Sequence, residues 1–166
     1  ILYTSGTTGH PKGVMLTHDN LILTGRNAAV REGLREDDEM LAYLPMAWVG
    51  DNLFSYAQSW AIGFCVSCPE SSDTVLLDMR EIGPTYNFAP PRVYEGMLTQ
   101  VLIRIEDASR LKRWMFRTFM DVARRAGTRL LDGKPVPWRD RFLYALGRFF
   151  IYEPIKNVLG LSRIRV

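Results

Sequence analysis

The stretch YTSGTTGHPKG, Tyr3 to Gly13, decides how the rest of the chain is read. It holds four serine and threonine hydroxyls (Thr4, Ser5, Thr7, Thr8), three glycines (Gly6, Gly9, Gly13) and one lysine, Lys12. Glycines let a main chain approach a ligand closely and adopt conformations that other residues resist. Successive N–H groups in such a turn form an anion-binding concavity. The hydroxyls add donors, Lys12 adds a point charge, and Pro11 stiffens the loop just before it. Polyphosphate is the natural occupant. The spacing is not the Walker G-x-x-x-x-G-K-[ST] pattern. Nor is it G-x-G-x-x-G, and GVMLTH (13–18) continues as a strand rather than a helix. A Gly/Thr-rich hairpin without a ligand has the same composition, so composition alone leaves both readings open.

Around this loop lie 166 residues, 47% of them hydrophobic. That suits one globular domain with a sizeable core and argues against disorder. No apolar run approaches the roughly eighteen residues of a membrane span. The first residues lack a basic segment followed by an apolar one, and two cysteines make no disulfide framework. A cytoplasmic setting is the expectation. The chain opens on ILYTSG and closes on SRIRV, both strand-like, whereas domain ends are usually polar. These ends predict a piece of a larger sheet.

Short apolar runs alternate with helical patterns through the first part, which predicts an α/β fold built on part of a mixed sheet. Strands are expected at ILYT (1–4), GVMLTH (13–18), EMLAYLPM (39–46, ended by Pro45), FCVSCP (64–69), TYNFAP (85–90) and SRIRV (162–166). Helices are expected from an Asp19 or Asn20 cap to Glu32 with Gly33 as stop, over 51–62, and over 73–83 with Asp73 as cap. Further helices are expected from Pro91, from Ser109 to a stop at Gly127, and from about Asp140 to Phe150, with a polar connection over 130–138.

Charge divides the chain. Residues 1–103 carry six Lys/Arg against twelve Asp/Glu, a net of −6; residues 104–148 carry twelve against five, a net of +7. Aromatics interleave with arginine there, including Trp114, Trp138, Phe142 and Phe149. The helical apolar spacing fits packing on a parent domain with arginine outward. Peripheral contact with a membrane surface stays open; no nucleic acid partner is expected, because no recognised module accompanies the charge. Cys65 and Cys68 form C-x-x-C inside an apparent strand, which points them to opposite faces and predicts buried structural cysteines. The acidic run at Glu36–Glu39 reads as a solvated turn, and His18 as a strand end or cap.

The ordered string YTSGTTGHPKGVMLTH (3–18) closely resembles the phosphate-binding loop of the adenylate-forming superfamily, which includes acyl-CoA synthetases, luciferase and peptide-synthetase adenylation domains. AYLPMAWVGD (42–51) resembles the next segment of that family, and REIGPTYNFAPPRVYEGM (80–97) is similar to the long-chain fatty acyl-CoA synthetase branch. The basic helices from Leu111 to Leu159 are similar to an insertion of that branch. The resemblance implies that residues 1–166 are part of an N-terminal adenylation domain, with 1–103 the α/β part and 104–160 the helical insertion. It implies activation of a long-chain fatty acid with ATP and Mg²⁺ to an acyl-adenylate, then transfer to coenzyme A. Thr4, Ser5, Gly6, Thr7, Thr8, Gly9 and Lys12 would contact the ATP phosphates.

Trp48 stands where many relatives carry His and would border the acyl pocket; the other reading is an ordinary core or interface tryptophan. The family's aromatic-Gly-x-Thr-Glu motif, ribose-binding Asp and catalytic lysine do not occur in this sequence. No catalytic residue and no metal ligand is therefore assigned, and this stretch alone is not expected to turn over. The rivals are an acyl-AMP ligase or another carboxylate-activating member, and a non-catalytic nucleotide- or membrane-surface-binding relic.

Overall fold

The computed structural model describes residues 1–4 and 9–166. The fold is of the α/β class. β1 (Leu2–Thr4) and β2 (Lys12–Val14) form an antiparallel hairpin. Helix α1 (His18–Glu32) follows. Its cap is Thr17, not Asp19 or Asn20: the Thr17 hydroxyl accepts from the Asn20 N–H, and the Asn20 side chain accepts from the Thr17 N–H, both at 3.1 Å. This reciprocal box satisfies two donors that a helix start leaves orphaned. Gly33 ends α1 as expected, at φ 67°, where a side chain would be strained.

β3 (Glu39–Leu41) pairs in parallel with β4 (Cys65–Ser67). Between them runs one helical stretch, α2 (Val49–Asp51), a π-helical turn (Asn52–Ala57) and α3 (Gln58–Ile62). α4 (Val75–Ile82) then leads back to the sheet. Its first-turn neighbour is Thr74 rather than Asp73.

The expected strand at 85–90 reduces to one parallel bridge, Met40 to Tyr86, with the Thr85 and Tyr86 N–H groups donating to Glu39 O. The expected last strand forms no regular element. Its residues still add backbone bonds beside the same segment, Arg165 N–H to Thr85 O (2.7 Å) and Asn87 N–H to Val166 O (3.1 Å). Pairing here needs only two or three residues, below the length at which alternation in the sequence is legible.

The chain forms two compact units, residues 1–89 with 163–166, and residues 90–162. In the first, Ala29, Leu34, Met40, Phe64 and Tyr86 make the core, with Phe54, Ile62, Val66 and Phe88 packed on it. α1 crosses the π turn at Gly25, where an added Cβ would sit 2.6 Å from the Ala57 carbonyl carbon and oxygen.

The second unit contains α5 (Pro91–Glu106), α6 (Arg110–Leu131), α7 (Trp138–Gly147) running into a π turn (Arg148–Tyr152), and α8 (Glu153–Leu159). Met97, Phe116, Val122 and Ala126 are its buried apolar residues. The Tyr152 hydroxyl donates to Phe119 O at 2.5 Å. α6 does not stop at Gly127. It continues through Leu131, because one glycine costs only roughly 1 kcal/mol of helix propensity and Gly127 keeps helical backbone here. The chain turns instead at Gly133, φ 65°.

Candidate functional site

The strand register sets which residues face each other at the base of the loop. Leu2 pairs with Val14, Tyr3 with Gly13, and Thr4 with Lys12. Directly opposed residues of an antiparallel pair share a face, with Cβ atoms about 5 Å apart. The hydroxyl of Thr4 and the ammonium of Lys12 therefore spring from one side of the loop's base. Gly13 lies on the other side, where its nearest neighbours are exposed side chains that can give way. A Cβ there would meet Ile1 Cγ2 at 3.0 Å and the Tyr3 ring at 3.5 Å. Gly9 holds φ 84° with open space around it, so its requirement is conformational rather than steric. Thr4, Gly9, His10, Pro11 and Lys12 are all exposed. Ser5, Gly6, Thr7 and Thr8 lie outside the described residues.

Trp48 sits in the turn before α2, 38% exposed. Its indole stacks on Phe88 (centroids 5.7 Å, 19°), and Phe88 stacks on Phe54 (3.8 Å, 25°). The turn beneath is pinned. Trp48 N–H donates to Pro45 O at 2.9 Å, and the Asn52 amide donates to Met46 O and to Trp48 O. Within α2, Asp51 is buried and accepts from the Ser55 hydroxyl at 2.8 Å.

Two buried polar clusters hold the elements beneath. Gln58 Nε2 donates to Glu32 Oε2 at 2.9 Å, and the Tyr86 hydroxyl donates to Gln58 Oε1 at 2.8 Å, with Glu32 Oε2 as its other acceptor at 3.1 Å. Burial, and then the Glu32 carboxylate beside it, push the Tyr86 hydroxyl far above its ordinary pKa. In the second cluster Asp38, 3% exposed, accepts from Thr85 Oγ1 (2.7 Å), from the Arg35 N–H (2.8 Å) and from the Arg165 guanidinium. Burial works to raise the Asp38 pKa. The hydrogen bonds from Thr85, Arg165 and Arg35 and the Arg165 charge outweigh it and hold the carboxyl below its usual value. Asp38 thus corrects the reading of 36–39 as a purely solvated run, although Glu36 and Asp37 are exposed.

Cys65 and Cys68 are free and exposed, not buried. β4 presents Cys65 outward, which strand alternation permits as readily as the opposite choice. Among the described residues, no group of three or more His, Cys, Asp or Glu could hold a metal ion. Among them, too, no helix is long and apolar enough to cross a membrane.

Comparison with known proteins finds a family for this chain. The family model described as AMP-binding enzyme matches residues 1–152. The chain belongs to this family. Among the relatives of this AMP-binding family member is the long-chain-fatty-acid–CoA ligase ACSBG2 of Gallus gallus. It is 30% identical, over 98% of this chain and 22% of the relative. The ACSBG2 ligase of Rattus norvegicus is 28% identical over 98% of this chain and 25% of the relative. The long-chain-fatty-acid–CoA ligase ACSBG1 of Rattus norvegicus is 24% identical over 98% and 23%. The chain spans about a quarter of the length of the curated relatives it matches.

Proposed function

We propose that the protein containing this chain activates a long-chain fatty acid with ATP, first as an acyl-adenylate and then as a coenzyme A thioester. The observation that carries the reading is the loop register, which sets Thr4 opposite Lys12 at the base of a glycine turn. Family membership and the ligase activity for which the relatives are named support the reaction class.

A carboxylate is a poor electrophile. In the first step its oxygen attacks the α-phosphorus of ATP, the bond to the β-phosphate oxygen breaks, and pyrophosphate leaves. In the second step the thiol sulfur of coenzyme A attacks the acyl carbon, the bond to the AMP oxygen breaks, and the thiol proton goes to solvent. The loop's part falls in the first step. Thr4, Ser5, Gly6, Thr7, Thr8, Gly9 and Lys12 hold the triphosphate in line and neutralise the charge that builds on the departing pyrophosphate. Mg²⁺ would ride on the phosphate oxygens when bound; no ligand set for it stands among the described residues, so no step is assigned to it. Trp48 is an apolar wall of the acyl pocket. Residues 104–160 are an insertion on the adenylation domain. Exposed Trp138, Phe142 and Phe149 beside Arg139, Arg141 and Arg148 give it a face suited to peripheral contact with an anionic bilayer, from which a fatty acid substrate partitions.

The test is fatty-acid-dependent ATP–pyrophosphate exchange by the full-length protein, which reads the first step alone. Exchange without thioester formation on adding coenzyme A would favour the acyl-AMP ligase; no exchange with any fatty acid would sink the proposal.

A further inference from the structure

We infer that the cavity between the end of α6 and the start of α7 binds the headgroup of an anionic phospholipid, its phosphate on Arg141 and Lys134 and its glycerol and first acyl carbons on the apolar floor between them. This rests on the bilayer-facing reading of residues 104–160 above. The cavity measures about 450 Å³. Ala126 and Leu130 of α6, Pro135 and Val136 of the connection and Tyr144 of α7 form its apolar lining, and Lys134 and Arg141 are its cations. Main-chain bonds fix the connection. Gly133 N–H donates to Leu130 O at 3.1 Å and Lys134 N–H to Arg129 O at 2.8 Å, the paired bonds of a Schellman turn, and the Arg129 guanidinium donates to Pro135 O at 3.4 Å. Charge sets the class of ligand. Lys134 pairs with Asp132 at 3.0 Å, and Asp140 lies 3.7 Å from Arg125. Among the described residues Arg141 makes no ion pair. With Asp132 set against Lys134, the cavity keeps the single positive charge of Arg141, which one phosphodiester balances. The guanidinium fork suits two phosphate oxygens. An exposed pair such as Lys134–Asp132 is worth little, so the ammonium can turn to the phosphate as well. The neighbours of the lining residues point to a bilayer rather than a dissolved anion. Leu131 is 90% exposed, Trp138 78% and Phe142 60%, apolar area that a dissolved anion would leave in water.

The experiment titrates the full-length protein with a short-chain phosphatidylglycerol kept monomeric, which carries the headgroup without the field of a charged surface. Binding should saturate. Glycerophosphoglycerol, the same diester without its chains, should bind at least about tenfold more weakly, because it leaves the apolar floor uncovered. Arg141→Gln should weaken the monomer about tenfold, the loss of a charge-assisted hydrogen bond. Arg139→Gln removes the same charge from the same helix outside the cavity and should stay within about twofold. On vesicles of phosphatidylcholine with phosphatidylglycerol, Arg139→Gln should lose about fivefold, the effect of one basic residue at an anionic surface, and Arg141→Gln several-fold more. Should Arg141→Gln not fold, Val136→Trp, which fills the cavity and leaves every charge in place, must abolish monomer binding. Equal weakening of the monomer by Arg141→Gln and Arg139→Gln overturns the cavity as the site, and so does a parent that sediments with the vesicles yet binds no monomer. A parent that sediments with no anionic vesicle overturns instead the bilayer reading. Glycerophosphoglycerol or octanoate binding as tightly as the lipid would make a dissolved diester or a fatty acid the ligand and overturn the phospholipid assignment.

Discussion

Alanine at position 25 and alanine at position 127 should move local stability in opposite directions, although both replace a glycine inside a helix. In α1, a Cβ at Gly25 would meet the Ala57 carbonyl carbon and oxygen at 2.6 Å and the Ala57 Cβ at 3.0 Å. These are mostly backbone atoms, which cannot rotate away as a side-chain tip can. α1 and the π turn would have to part by roughly 1 Å to recover ordinary contact at about 3.5 Å. Overpacking of this kind costs about 1–3 kcal/mol. Replacing glycine by alanine in a helix returns about 1 kcal/mol. The net for Gly25→Ala is a loss of roughly 1–2 kcal/mol. Gly127, in α6, has nothing within 4 Å of an added Cβ. Gly127→Ala should therefore keep the whole gain of about 1 kcal/mol. Hydrogen exchange on the full-length protein reads each helix separately, because local opening reports local free energy. Amides of α1 should lose about tenfold in protection in Gly25→Ala, and those of α6 should gain several-fold in Gly127→Ala. Unchanged protection of α1, or weakened protection of α6, would refute the steric reasoning.

Three other outcomes are expected. Lys12→Ala in the full-length protein should slow pyrophosphate exchange by roughly a hundredfold, the usual loss when a charge-stabilising donor is removed; an unchanged rate would dismiss its phosphate role. Asp38 has a folded pKa below its unfolded value of about 3.9. Its contribution is present above that unfolded value and fades as pH falls through the folded one, so Asp38→Asn should lower Tm at neutral pH and flatten the acid limb below about pH 4. Acid limbs that stay parallel would contradict this. Trp138→Ala with Phe142→Ala should reduce co-sedimentation with anionic vesicles, and added salt should release the parent protein; salt-independent sedimentation equal in both would count against a basic aromatic face.

What the sequence made legible followed patterns with many residues behind them. The long helices α5 and α6 were read from apolar spacing and their starts at Pro91 and Ser109, and α1 from its end at Gly33. The loop was read from an ordered string of eleven residues. What stayed hidden depended on contacts far apart in the chain. Asp38 meets Arg165 across 127 positions, and Tyr86 meets Glu32 across 54. No periodicity records such pairs, so Asp38 looked like one more solvated acid. Phe88 was missed as the partner of Trp48 for the same reason. Gly50, where an added Cβ would meet the Trp48 ring, lies only two residues on, but glycine at a helix start reads equally as a turn residue.

The buried polar triad also explains why the aromatic stack forms at all. The segment 84–88 has only one bridge to β3, so the sheet alone specifies its register weakly. A slip of one residue would turn Tyr86 away from α1. It would leave the Gln58 carbonyl, fully buried, without the tyrosine hydroxyl and the Glu32 carboxylate with one donor fewer. Leaving a buried polar group unpaired costs about 1–3 kcal/mol, and more for a charged one. That penalty is comparable with the gain from a single apolar contact in this small core, so the polar triad adds to the apolar residues and to the Thr85–Asp38 hydrogen bond in selecting the register. Tyr86 and Phe88 are two apart in extended chain and so share a face. Fixing Tyr86 against Gln58 therefore fixes Phe88 against Phe54, and with it the ring on which Trp48 rests.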